Sequence, residues 1–406
     1  VLYVTHRFPY PPNKGDRIRN YHLLRYLADR ADVWLATFAD EPVPRFQRDH
    51  LLDICQEVFV VEQDQRRWLG GLWSALHGGS ISAGLYRDSR MSAGVRYLAE
   101  AHGFDLAVAS SSAVADYLRP LSRTTTTVVD MVDLDSAKWA DFARGNWGPR
   151  GWVYALEAAR MRRLEVACGT WADGITFVSQ HETNAYRQLG GVNGHTVANG
   201  VDLQFFRARV RLEEPPPGVV FVGAMDYWPN VAGVTWFTKQ VWPKLRAHYP
   251  DLTFTIVGRR PTPVVQRLAA VPGVSVTGDV PDVRPFLDAA TVSVAPLQLG
   301  RGLQNKVLEA LANGVPTVAT PTALAGLTAM VGRDVFKATT PDEWLTAISA
   351  ILDKPKLRER LRLNGRRYAE QQHDWTTCLA PFGRWLHQGE KSVACSPFGV
   401  PQERCE

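Results

Sequence analysis

Four residues in the last third of the chain, Gly302, Lys306, Glu309 and Asn313, have the types and spacing to handle a phosphorylated ligand. Intervals of four, three and four put them on one face of a helix, one above the next. A helix N-terminus already favours anions through its free backbone N–H groups and positive dipole end, and an ammonium one turn in would neutralise a diphosphate there. A carboxylate one turn further on can accept hydrogen bonds from ribose hydroxyls. That is a nucleotide-diphosphate site in outline. A surface ion pair between Lys306 and Glu309, worth about a few tenths of a kcal/mol, would have the same spacing.

The elements that must position these residues are legible around them. Residues 291–320 read TVSVAPLQLGRGLQNKVLEALANGVPTVAT. Residues 291–295 alternate β-branched and small side chains, and Pro296 closes the strand because proline cannot donate to a ladder. A loop with Gly300, Arg301 and Gly302 opens a helix striped by Val307, Leu308, Leu311 and Ala312 and stopped at Asn313-Gly314. A second buried strand spans 316–319, so the stretch is a βαβ unit.

The wording LEALANGVPTVAT after a glycine loop resembles the donor-site signature of the family-4 (group 1) glycosyltransferases of the two-domain GT-B fold. The resemblance implies that Glu309 binds the nucleotide ribose and that Gly302, Leu303 and Gln304 line the donor. Arg301 stands where that family carries a first glutamate. A guanidinium only donates hydrogen bonds, and it would reach the diphosphate beside Lys306 as a fork. The resemblance also implies that Gly15, in the first loop, approaches the donor, that the Gly223 loop and Arg259 face its phosphates or sugar, and that residues 278–280, with Gly278 and Val280, meet its base through backbone. The family's arginine and lysine after the first strand of the second domain are replaced by Gly-Ala-Met-Asp-Tyr-Trp-Pro-Asn at 223–230. The first-loop wording, residues 130–139 and residues 223–230 are most similar to sugar transferases of exosortase (PEP-CTERM) and exopolysaccharide loci.

Strands are expected at 1–6, 33–38, 58–62, 106–110, 127–131 and 175–179, with helices between them, which is a doubly wound parallel sheet. Ligands in such sheets gather at the carboxyl ends of the strands, where Gly15, Asp130, Asp133 and Asp135 fall. Val132 occupies the place of a histidine found in many family members, so Asp133 is the nearest ionisable group to orient an acceptor hydroxyl. Asp133 and Asp135 also read as a DxD metal pair, but ordinary turn aspartates are common at strand ends and no metal is expected. Residues 196–206 look like the element that ends the family's first domain. Residues 208–218 shift to charge and proline, as linkers do. The expected organisation is an α/β GT-B fold of two Rossmann-like domains facing across a cleft. It comprises an acceptor-side domain at 1–210, a donor domain at 211–372, a helix crossing back at 373–391 and a disordered tail at 392–406.

Composition sets the outer limits. A chain of 406 residues with 45% hydrophobic residues is globular and large enough for two domains. It has no run of eighteen apolar residues and opens on a strand rather than a signal sequence. Five scattered cysteines favour a reducing cytoplasm. With 24 Lys and Arg against 23 Asp and Glu in residues 1–210, no half is a basic domain, and nucleic acid is not expected as a partner. Trp68, Leu69, Leu72, Trp73 and Leu76 share a helical face beside Arg66 and Arg67, and Arg160, Arg162 and Arg163 follow later. Such stretches suit a membrane surface or a lipid-linked acceptor, and equally a packed core.

The whole reads as a transferase moving sugar from a nucleotide diphosphate to a saccharide or lipid-linked acceptor at the inner face of a membrane, with retention and without essential metal or cofactor. Lys306, Arg301 and Asp133 are the expected catalytic residues. A nucleotide-sugar epimerase on the same fold, or a degenerate GT-B protein that binds without catalysis, are the alternatives.

Overall fold

Short β-branched runs separated by amphipathic helices fold, in a computed structural model, into two parallel sheets with helices packed on them. The structure describes residues 1–13, 15–64, 67–146, 148–207, 216–300 and 302–386. Arg301 and the 392–406 tail lie outside the described residues, as do Lys14 and Arg66. The chain divides into one unit of Val1–Phe177, Ala185–His195 and Ala380–Glu406, and another of Val178–Asn184 and Thr196–Leu379.

The first unit carries β1 (Leu2–Thr5), β2 (Trp34–Ala39), β3 (Glu57–Glu62), β4 (Leu106–Ser110), β5 (Thr126–Val132), β6 (Gly174–Phe177) and β7 (Gly194–Thr196), ordered β3-β2-β1-β4-β5-β6-β7. Pairing from β3 through β6 is parallel throughout. Leu2, Val4, Ala36, Phe38, Ala107 and Ala109 pack one face against Met91, Val95 and Leu98 of the helix Ser89–His102. Tyr3, alternating to the other face, donates to Asn20 at 3.2 Å on the helix Gly15–Ala28.

The second unit carries β8 (Gly218–Val222), β9 (Thr253–Val257), β10 (Val274–Val276), β11 (Val292–Ala295), β12 (Thr317–Ala319) and β13 (Phe336–Lys337), ordered β10-β9-β8-β11-β12-β13 and parallel. Aromatic rings fill its core: Phe237 lies 5.0 Å from Phe254 and 5.4 Å from Trp344. Residues 196–206 pack here, so the chain enters the second unit ahead of the proline-rich stretch. The backbone of Val201 donates to His373 O at 2.8 Å, and a Cβ on Gly200 would stand 2.7 Å from the Trp375 Cα. The chain rejoins the first unit at Ala380, after the short helix Trp375–Leu379 and before Gly383–Leu386. The two-sheet architecture is the expected one.

Candidate functional site

Nine of the residues singled out above gather in the second unit, at the carboxyl ends of four neighbouring strands: β10, β9, β8 and β11. The helix Asn305–Ala312 starts just beyond β11 and buries Val307, Leu308, Ala310, Leu311 and Ala312, which leaves Lys306 and Glu309 on its other side. Two close approaches hold the loop that leads into it. A Cβ on Gly233 would lie 2.8 Å from Pro296 O, and one on Gly326 would lie 2.7 Å from Gly302 O. Gly302 itself has φ 64°, which L side chains rarely adopt. At the far end of the helix the Arg366 guanidinium donates to the Ala312 carbonyl and, at 3.2 Å, to Leu203 O, placing a cation at the negative dipole end.

Gln304 takes the N-cap position without capping a backbone N–H of the first turn through its side chain; its Oε1 accepts instead from Lys306 Nζ at 3.2 Å. The same ammonium stands 5.8 Å from the Phe221 ring on β8. Asn305 Oδ1 accepts from the buried Asn199 at 3.3 Å. Lys306 and Glu309 keep some accessible surface but are recessed in protein. Burial pushes the ammonium down to about 8 against the pull of Glu309. Burial likewise pushes the Glu309 carboxyl up to about 7 against the pull of Lys306. The two form a recessed pair of opposed charges rather than an exposed ion pair. Asn313 is engaged elsewhere, donating to Asp288 Oδ1 at 2.8 Å.

The Gly223 and Gly258 turns lie backbone to backbone. A Cβ on Gly258 would stand 1.7 Å from Gly223 O, and Met225 N donates to Arg259 O at 2.9 Å. The Gly-Ala-Met-Asp-Tyr-Trp-Pro-Asn wording has a local reason: Asn230 closes the turn on itself, its Nδ2 donating to Ala224 O at 2.8 Å. Arg259 is half-buried beside this turn. Gly278, φ 72°, and half-buried Val280 follow β10. Leu303 is buried.

Gly15 and Asp133 belong to the first unit. Gly15 is the first residue of the helix Gly15–Ala28, not part of a loop, so it contributes to a helix N-terminus beyond β1. Asp133 follows β5, its backbone N–H donating to Met131 O at 2.8 Å. Asp130, grouped with them by sequence, is closed off. It is fully buried, forked by Arg19 at 2.7 and 2.8 Å, and accepts from Thr176 Oγ1 at 2.6 Å. Sequence reasoning missed this pair; the one available signal was a charge inside an apolar strand. It also missed the backbone at Val132, φ 67°, and Ser111, φ 86°, neighbouring strand ends where non-glycine residues are held in the left-handed region. Among the described residues no three His, Cys, Asp or Glu side chains gather as a metal site.

Residues 216–354 match the family described as Glycosyl transferases group 1. A sequence comparison with curated proteins finds no match. Sucrose-phosphate synthase from Thermosynechococcus elongatus superposes with a TM-score of 0.68 at 15% identity, covering 95% of this chain and 98% of its own. Anabaena HepE, solved in complex with UDP and glucose, gives a TM-score of 0.68 at 15% identity over 95% and 99% of the two chains. The α,α-trehalose 6-phosphate synthase of Burkholderia multivorans gives 0.61 at 13% identity over 95% and 98%. Residues 216–354 thus match the group 1 glycosyl transferase family, and the fold over nearly the whole chain is the GT-B fold of these solved structures.

Proposed function

We propose that this protein is a glycosyltransferase that takes a sugar from a nucleotide-diphosphate donor and attaches it to an acceptor hydroxyl. The observation that carries the reading is the recessed Lys306 and Glu309 pair behind a helix N-terminus, inside the stretch that matches the group 1 family. In this reading the bond between the sugar's anomeric carbon and the diphosphate breaks, and negative charge builds on the leaving oxygen. Lys306, Arg301 and the first amides of the helix Asn305–Ala312 stabilise that charge, while Glu309 holds the ribose. Gly223 and Gly258 let their two turns pack backbone to backbone, and Arg259 beside them is the proposed contact to the donor. The acceptor oxygen bonds to the anomeric carbon, and its hydroxyl proton passes to a base; Asp133 is the proposed group that orients that hydroxyl and takes the proton.

HepE was solved with UDP-glucose, which makes a uridine-diphosphate hexose the first donor to try. Retention at the anomeric carbon, independence of metal, a saccharide or lipid-linked saccharide acceptor, and a place in exopolysaccharide or surface-glycan assembly at the cytoplasmic face of a membrane complete the proposal. Calorimetric titration with UDP, GDP, ADP and TDP, with and without magnesium, tests it. One nucleotide should bind without metal, and Glu309→Gln should weaken it about tenfold or more. No binding to any of them removes the reading. Tight binding with no transfer to any acceptor favours the degenerate binding protein, for which Arg301 in place of the first glutamate speaks.

A further inference from the structure

We infer that one face of the first unit is a docking surface for an anionic lipid bilayer, formed by the helices Arg67–Leu76 and Pro149–Cys168. The inference deepens the membrane-side reading above by naming the surface, and rests on that reading only for its purpose.

The helix Arg67–Leu76 is packed the wrong way round for a core element. Its buried residues are Gly71 and Ser74, while Trp68 is 57% exposed, Leu69 47%, Leu72 50%, Trp73 49% and Leu76 77%. The reason lies beneath it. A Cβ on Gly70 would stand 2.5 Å from Gly84 O, and one on Gly84 would stand 2.6 Å from Ser74 Cβ. Only the small-residue side fits that approach, so the large side chains face outward.

The second helix continues the surface. Trp152 is 81% exposed, Val153 51% and Leu156 52%. Their spacing to Arg160 and Arg163 puts all five on one flank. Arg160 Nη2 donates to Ala75 O at 2.9 Å, so this is the flank beside the helix Arg67–Leu76.

The charge is one-sided. Residues 67–76 and 149–156 contain Arg67 and Arg150 but no carboxylate. Glu157, the next acid, is turned inward, accepting from Ser80 Oγ at 2.7 Å and from the backbone N–H groups of Ile81 and Ser82 at 2.9 and 2.8 Å. Arg67 pairs with Asp40 at 2.9 Å. Arg87, stacked 5.0 Å over Trp73, and Arg150 and Arg163 form no ion pair among the described residues. Tryptophan and arginine over an apolar floor match the ester level and phosphates of a bilayer. A second copy across a two-fold axis would set the same arginines against one another.

Flotation of the whole protein with phosphatidylcholine vesicles, with and without phosphatidylglycerol, tests the inference. The protein should float with anionic vesicles and roughly tenfold less with neutral ones. Trp68→Ser and Trp152→Ser should each lower partition roughly tenfold, and the double variant carrying both should lower it further. Both side chains are solvent-facing, and an unchanged thermal melt shows that the variants fold. Failure to float with anionic vesicles, equal floating with both kinds, or undiminished floating of the double variant overturns it. So does self-association in solution that the double variant abolishes while wild type ignores vesicles. Nucleotide titration of the same samples is independent: its failure with flotation intact strikes the transferase reading alone.

Discussion

Glu309 is the charge that opposes neutralisation of Lys306, and Lys306 does the same for Glu309, from one turn away on a shared helix face. Neither group would hold its charge as firmly in that recess without the other.

Both groups carry charge together to the greatest extent between about 7 and about 8, because Glu309 is pushed up to about 7 and Lys306 down to about 8. Above the window Lys306 loses its proton and the diphosphate its counter-charge. Below it Glu309 gains a proton and accepts fewer hydrogen bonds from ribose. Nucleotide affinity should therefore be bell-shaped in pH. Glu309→Gln should flatten the acid limb and Lys306→Met the alkaline limb. Calorimetry across the range checks this, and a flat wild-type profile would take the pair out of the site.

Arg19 and Asp130 form a fully buried pair spanning 111 residues of sequence. Arg19→Met leaves the Asp130 carboxylate with Thr176 alone and should cost about 3–5 kcal/mol. A double replacement, Arg19→Met with Asp130→Leu, should recover a large part of that loss, because it removes the stranded charge. Chemical denaturation of the three proteins decides the matter; a near-neutral single variant would show that the pair adds nothing.

Glu165 is fully buried on the helix Pro149–Cys168, and burial pushes its carboxyl from 4.5 up to about 7, although Ser136 N–H donates to it at 3.0 Å. The folded form then holds a proton that the unfolded form has released between those values. Stability should fall as pH rises from about 4.5 through about 7, by as much as about 3 kcal/mol, and stay low above it. Glu165→Gln keeps the acceptor oxygen and should lose that pH dependence. Thermal melts at pH values on either side of 7 read it out; identical slopes in variant and wild type would remove Glu165 as the cause.

Much of the second unit was legible because its signals are local. Pro296 ends β11, Asn313-Gly314 ends the next helix, and the stripe between them fixes which side Lys306 and Glu309 take. Long-range pairing was not legible. Nothing near Asp130 points to Arg19, and β13 is two residues long, below any periodic signal. The helix Arg67–Leu76 shows a third limit. Periodicity tells which residues share a face, not which face turns inward, and here the Gly70 to Gly84 approach reversed the usual choice. The prolines before Gly15 suggest a loop there, whereas the helix begins at that residue.

The grip of Glu157 on Ser80, Ile81 and Ser82 has a mechanical meaning. The short turn Ile81–Gly84 sits directly under the helix Arg67–Leu76, and the carboxylate ties that turn to the helix Pro149–Cys168. The two outward-facing helices are therefore braced to each other like the arms of a bracket.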